Sequence, residues 1–389
     1  MYILLISRGI PSKEEPQWGC FEFDQAKALV LLGHKVVVMS VDERLRFRST
    51  LYGLSYKKVD GVAFYNYRFL PKKVSNLCGF KMSSKITEYQ YIYLLKKIIQ
   101  EQGVPDVLYS HYLKTSYICV QLKKMFNIPL VGIEHWSELA KDQLIPLAKK
   151  LGDLTYGNVD KLISVSDGLQ FMIKKHFGKD SVVINNMVSS DFCQGEVKFN
   201  NNCDKVEFVT IGSLIRRKGF DLLIDAFIKL DLPKDKWKLS IIGGGEDFGK
   251  LQYRIQLANL QDNIYLLGSK TKAEIVKILQ SSDVFVLASR KETFGVVYIE
   301  AMMLGLPVIA SICGGPEEFV QKKDGLLVPV NDVDALADAI KYMFVNYQSY
   351  DRAKIAEDCK NRFSPEVIAR QLTDIFEKVV EEHKQKNSK

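Results

Sequence analysis

The chain has 389 residues, of which 47% are hydrophobic and 26% charged, with a formal net charge of +8. That composition belongs to a globular chain long enough for two domains and excludes a disordered or fibrous one. No stretch approaches the ~20 apolar residues of a membrane-spanning helix, and the apolar run 2–6 is too short for a signal-peptide core. Seven scattered cysteines show no Cys-x-x-Cys and no metal-ligand spacing, the pattern of reduced thiols in a cytoplasm.

In chain order, strand-like apolar runs at 2–6, 35–39, 107–109, 130–133, 162–165 and 182–184 alternate with amphipathic stretches over 24–32, 86–100 and 117–126. Gly33 and Gly103 read as helix stops. Residues 44–97 break the pattern, with twelve Lys/Arg against two acids, Asp60 and Glu88. Aromatics such as Phe47, Tyr52, Tyr56, Phe64, Tyr65, Tyr67, Phe69 and Phe80 are interleaved there. Such a segment suits an anionic membrane surface, or it is a set of core aromatics with lysines reaching outward. No nucleic-acid-binding motif is present, so no nucleic-acid partner is expected.

The second half repeats the alternation at 207–211, 239–242, 264–267, 284–287, 308–310 and 326–328. One alternation per half predicts an α/β protein with two doubly wound, mostly parallel sheets. The polar stretch 189–204, with Asn200 to Asn202 at its end, reads as the join. The expected domains are therefore 1–190, 191–363 and a final helical segment 364–389. Ser364 suits that helix's cap, Pro365 its first position, and Val367, Ile368, Leu372, Ile375, Phe376 and Val379 its buried stripe.

Three loops at predicted strand ends carry ligand-grade residues. The first, Thr210-Ile-Gly212-Ser213-Leu-Ile-Arg216-Arg217-Lys218-Gly219, has a glycine on either side of three consecutive cations. Glycine allows close backbone approach, and Arg and Lys neutralise phosphate. The second, Glu292-Thr-Phe294-Gly295, opens a helix that holds Glu300. Carboxylates accept from hydroxyls, and helix-opening N–H groups receive anions. The third is Cys313-Gly314-Gly315-Pro316-Glu317-Glu318. Any one alone reads as a solvated polar turn; three on successive strand ends mark a ligand site at the carboxyl edge of a sheet. Gly243-Gly-Gly245 also follows a strand, but it lacks the later glycine and acidic partner of a dinucleotide site. Asp332 and Asp334 sit where a helix starts and read as capping residues, so no metal is expected.

Together these motifs resemble the retaining nucleotide-sugar glycosyltransferases of family 4, most strongly over 207–330. The resemblance implies a GT-B fold, two Rossmann-like domains facing across a cleft, with the last helix crossing back to the first. It implies Lys218, with Gly212 and Ser213, on the donor diphosphate and Glu300 on the ribose. It puts Glu292 and the N–H groups of Phe294 and Gly295 on the sugar, and the base near Gly268. In the first domain Gly33-His34-Lys-Val36, Val165-Ser166 and Glu134-His135-Trp136 resemble family landmarks. His135 would face the transferring sugar and Gly19 the phosphates. Many members carry arginine where this chain has Ser213; Arg216 or Arg217 would supply that charge, with Arg217 preferred. His34 reads as structural, and His111 as a core histidine or a site residue.

The implied activity is metal-free, retaining transfer to a glycan or lipid-linked acceptor, in cell-surface polysaccharide or glycolipid synthesis. The implied place is the cytoplasm, peripheral to the inner face of the plasma membrane. A sugar phosphorylase or nucleotide-sugar epimerase of the same fold is the alternative chemistry. A non-catalytic nucleotide-sugar-binding subunit is the alternative role.

Overall fold

The computed structural model describes residues 1–9, 11, 18–43, 52–68, 80–197 and 205–388, the side chains of 80–84 excepted. They fall into two units, Met1–Ile184 with Pro365–Lys389, and Asn185–Ser364.

The first unit begins with β1 (Tyr2–Ser7), α1 (Cys20–Leu31), β2 (Lys35–Val41), β3 (Gly53–Val59), β4 (Val62–Arg68) and α2 (Phe80–Gln102). It continues with β5 (Val107–His111), α3 (Leu113–Phe126), β6 (Leu130–Glu134), α4 (Pro146–Thr155), β7 (Lys161–Ser164), α5 (Asp167–Phe177) and β8 (Val182–Val183). The sheet order is β3-β4-β2-β1-β5-β6-β7-β8. All neighbours are parallel except β3, which runs antiparallel to β4. β1 is buried along its whole length, as expected of a central strand covered on both faces.

Within the basic, aromatic segment the structure forms the β3–β4 hairpin. Val59 pairs with Val62 across Asp60 and Gly61, at φ 49° and 78°. Both central residues at positive φ make the tight turn that Asp-Gly favours between strands. Phe64 and Tyr65 are core residues, whereas Tyr52, Leu54 and Tyr56 are exposed. Arg68 is buried and ion-paired with Asp42. Phe47 and Phe69, the arginines at 44–48 and the Asn200–Asn202 run lie outside the described residues.

The second unit holds α6 (Ser190–Cys193), β9 (Val206–Ile211), α7 (Phe220–Ile228), β10 (Trp237–Ile242), α8 (Phe248–Leu257), β11 (Ile264–Gly268) and α9 (Lys272–Gln280). β12 (Val284–Leu287), α10 (Val296–Met303), β13 (Val308–Ser311), β14 (Gly325–Val328), α11 (Val333–Asn346) and α12 (Arg352–Phe363) complete it. Its order is β11-β10-β9-β12-β13-β14, and every pairing is parallel. The order turns back at β9 and β12, the kind of switch point where open α/β sheets bind ligands. Asp332 caps α11, its Oδ1 accepting from Ala335 N at 2.9 Å.

The last helix, α13 (Pro365–Asn387), returns to the first unit. Phe376 packs edge-on against Tyr109 at 4.8 Å, and Thr373 Oγ1 meets His34 Nε2 at 2.9 Å. His34 is thus a structural residue, as the sequence reading has it.

Candidate active site

In the second unit, three strand-end loops interlock through their backbones. Gly219 sits at φ 68° where a Cβ would lie 1.8 Å from the Ala288 carbonyl oxygen, so only glycine lets the loop after β9 touch the loop after β12. Arg290 N donates to Arg217 O at 2.8 Å, and Glu292 N to Cys313 O at 3.1 Å. A Cβ on Gly315 would fall 2.5 Å from the Phe294 carbonyl oxygen. The Gly243–Gly245 loop, dismissed as a dinucleotide site, packs under the first of these loops. Leu214 N donates to Gly244 O at 2.9 Å.

On this platform the charges converge on Glu292. Lys218 Nζ lies 2.6 Å from its Oε1, and Ser289 Oγ donates to the same oxygen at 2.7 Å. Arg217 Nη1 is 3.5 Å from Oε2 and donates to Lys291 O at 3.0 Å. Glu292 is only 5% exposed. A carboxylate buried to that degree has to be paired and hydrogen-bonded, and these groups do both. Of the two candidate arginines, the one brought to Glu292 is Arg217; Arg216 offers its carbonyl to Arg290 Nη1 at 2.6 Å.

Arg290 and Asp221, given no role by the sequence reading, stiffen the first loop through a two-pronged pair at 2.8 and 2.7 Å. Burial pushes the Asp221 carboxyl up, but the Arg290 hydrogen bonds and charge outweigh it and leave it below the usual range. The sequence reading quotes Glu317 and Glu318 together in the third loop and gives Glu317 no role of its own. Its carboxylate gathers the N–H groups of Cys313, Gly314 and Gly315 at 3.1, 2.7 and 3.2 Å. Successive N–H groups of that kind form an anion-binding nest. A glutamate two residues past a Gly-Gly pair was the available signal.

Phe294 is a core residue whose ring packs on Phe319 at 4.9 Å. Gly295, at φ 98°, precedes α10, and Glu300 lies half-buried within that helix. Gly212 is half-buried and Ser213 exposed on the loop after β9. Gly268 ends β11 at φ 69°, and its carbonyl accepts from Gly243 N at 2.9 Å.

In the first unit, His135 directly follows β6, and Gly19 precedes α1 at φ 77°. The His135 ring stacks on that of His111 at 5.4 Å with 4° between planes, and tilts against Tyr112 at 5.1 Å. His111 is fully buried, and neither ring nitrogen has a hydrogen-bond partner. Burial, helped by the nearby Arg8 charge, pulls its pKa down to about 3, so it is neutral at physiological pH. Glu134 is buried too, and burial holds its carboxyl well above the usual range.

Two family models match the chain: "Glycosyltransferase Family 4" over residues 23–192 and "Glycosyl transferases group 1" over 195–361. An uncharacterized glycosyltransferase of Methanocaldococcus jannaschii is 27% identical, with 73% of this chain and 78% of that one covered. Sucrose-phosphate synthase from Thermosynechococcus elongatus superposes with a TM-score of 0.78 at 19% identity, covering 97% and 98% of the two chains. Anabaena Alr3699/HepE in complex with UDP and glucose gives 0.73 at 17% identity, covering 97% and 100%. At these identities the structures establish the fold.

Proposed function

Because the chain belongs to the group 1, family 4 glycosyltransferases and has their GT-B fold, we propose that it moves a sugar from a nucleotide-diphosphate donor to a glycan or lipid-linked acceptor. The observation that carries this reading is the contact of Lys218 and Arg217 with the buried Glu292 at the carboxyl edge of the second sheet. Two cations beside one carboxylate suit a ligand with a diphosphate at one end and sugar hydroxyls at the other.

When the sugar C1–oxygen bond breaks, its electron pair passes to the diphosphate. Lys218 and Arg217 are preorganised to receive that charge, the kind of contribution that is commonly the largest in such catalysis. We assign this task to them rather than to a metal ion. The acceptor hydroxyl oxygen bonds C1 from the side the diphosphate leaves, and its proton goes to a diphosphate oxygen. Anomeric configuration is thereby retained. Glu292 accepts from sugar hydroxyls, Glu300 from the ribose, and the N–H groups of Phe294 and Gly295 support the sugar and phosphate. Gly212, Ser213 and Gly268 give the nucleotide close backbone approach. His135 is assigned to the transferring sugar and Gly19 to the phosphates.

The HepE complex makes UDP the first nucleotide to test. Cell-surface polysaccharide or glycolipid synthesis at the inner membrane face is the context we infer. The exposed Tyr52, Leu54 and Tyr56 beside Lys57 and Lys58 support it. No helix among the described residues is long and apolar enough to cross a membrane.

The test is nucleotide release from UDP-, GDP- and ADP-sugars, with and without EDTA, for wild type, Glu292→Gln, Lys218→Met and the double variant. One donor is expected to be hydrolysed, regardless of EDTA, with roughly 10²–10³-fold loss in each single variant. Lys218→Met takes the nearer of the two cations from a buried carboxylate and leaves it with Arg217 at 3.5 Å and the Ser289 hydroxyl, so its melting temperature should fall. The double variant should recover much of that stability and none of the activity. Wild-type release in both single variants would overturn the site.

A further inference from the structure

Tyr112 joins β5 to α3 at φ 67°, ψ 146°. A bulky side chain at positive φ is a genuine outlier, held only where its surroundings over-determine it. Among the described residues the other non-glycine residues at positive φ are Asp60, Asn127, Asn259 and Asn331, types that tolerate that region. Tyr112 is the aromatic exception, and it is held from both ends. Its N–H donates to Ile133 O at 2.9 Å, and its carbonyl accepts from Thr115 N and Ser116 N at 3.1 and 3.0 Å.

The strained backbone fixes where the phenol ring lies. The Arg8 guanidinium sits 3.8 Å from the ring centroid, and the His135 ring is 5.1 Å away. Arg8 is anchored by Glu22, with Nε 3.0 Å from a fully buried carboxylate. His111, itself immobilised by burial, stacks on His135. His135 therefore contacts one aromatic ring fixed by packing and another fixed by backbone strain and a cation.

We propose that Tyr112 is a positioning residue for His135, its strained backbone setting the phenol ring that fixes the imidazole's orientation. The inference deepens the functional reading of His135 and rests on it for its effect on turnover. Glycine at 112 would relieve the backbone and remove the ring. Alanine would remove the ring and leave the backbone strained.

The test compares Tyr112→Gly, Tyr112→Ala and Tyr112→Phe with His135→Ala. Release is measured on UDP-, GDP- and ADP-sugars, melting temperature on every variant. The His135 ring signals are followed in ¹H–¹³C NMR spectra, assigned by their loss in His135→Gln. Tyr112→Phe should keep wild-type signals and turnover. Tyr112→Gly and Tyr112→Ala should both shift the His135 signals and lower kcat roughly ten- to a hundredfold, the scale of a small misplacement, with donor KM little changed. Tyr112→Gly should also melt above Tyr112→Ala, because only glycine fits that backbone without strain. Unmoved His135 signals in both variants, or alanine melting above glycine, would overturn the proposal. If the signals shift but His135→Ala retains wild-type turnover, the positioning stands and the role assigned to His135 in sugar transfer falls.

Discussion

Glu134 shows how a single buried group ties the first unit's stability to pH. It closes β6 with no exposed surface. Burial raises its pKa well above the usual range. The Trp136 amide and Tyr156 hydroxyl ease that shift without cancelling it. The folded state thus keeps a proton that the unfolded chain gives up near its ordinary value of 4.5. Its contribution is complete below that value and is lost as pH rises toward the folded one, at about 1.4 kcal/mol per pH unit. Glu134→Gln, neutral in both states, should therefore melt above wild type at pH 8 and match it closely at pH 4. Thermal melts across that range check it, and a glutamine variant that melts lower at pH 8 would mean the carboxyl is ionised in the fold. His111 acts at the acid end. Its folded pKa of about 3 lies below the ordinary 6.5, so its contribution is present above the unfolded value and lost as pH falls through the folded one.

Among the described elements, the β3–β4 hairpin exposes aromatics and lysines together. β3 is an edge strand with Leu54 to Val59 all exposed. Lysines commonly guard such edges against pairing with other chains. Here Lys57 and Lys58 stand among exposed Tyr52, Leu54 and Tyr56. Aromatics and cations together favour an anionic bilayer surface, at ~1 kcal/mol per basic residue near it. Wild type should cosediment with phosphatidylglycerol-containing vesicles, more weakly as salt rises. Lys57→Glu with Lys58→Glu should lose most of that binding while soluble-donor hydrolysis stays unchanged. Equal sedimentation of the two proteins would rule the hairpin out as a membrane contact. Sequence pattern alone was silent on this hairpin, although Asp60-Gly61 between two strand-like runs is a recognised turn signal. The strand-end loops were legible because their chemistry is local: glycines, cations and carboxylates within a few positions of an apolar run. Partnerships set by the fold were not. Arg290 finds Asp221 from 69 positions away. Glu317 rather than its neighbour turns back on the nest, and nothing about a tyrosine announces the backbone angle at 112.

At the scale of the whole molecule, the two alternating halves predicted two sheets, and each sheet has its own buried strands. The end of the chain breaks that modularity, because α13 belongs to the first unit although the entire second unit precedes it in sequence. Ile368, Ala369, Leu372, Phe376 and Val379 are all buried on it. Their stripe was visible in the sequence, but its docking surface was implied only by family resemblance, since periodicity tells which face is buried and not against what. Fully burying a Val, Leu, Ile or Phe contributes ~1.5–3 kcal/mol. Four such residues together rival the ~5–15 kcal/mol that stabilises an entire domain. Truncation after Ser364 should therefore unfold the first unit, exposing Tyr109 and the core around it, while the second unit keeps its sheet and its Lys218–Glu292 pair. Calorimetry of wild type and truncated chain, each with and without UDP, separates these outcomes. The expected result is loss of one transition and survival of another that UDP still raises. A truncated chain that loses both transitions would show that the second sheet depends on the first for its stability, and one that loses neither would show that α13 adds little to the unit it covers.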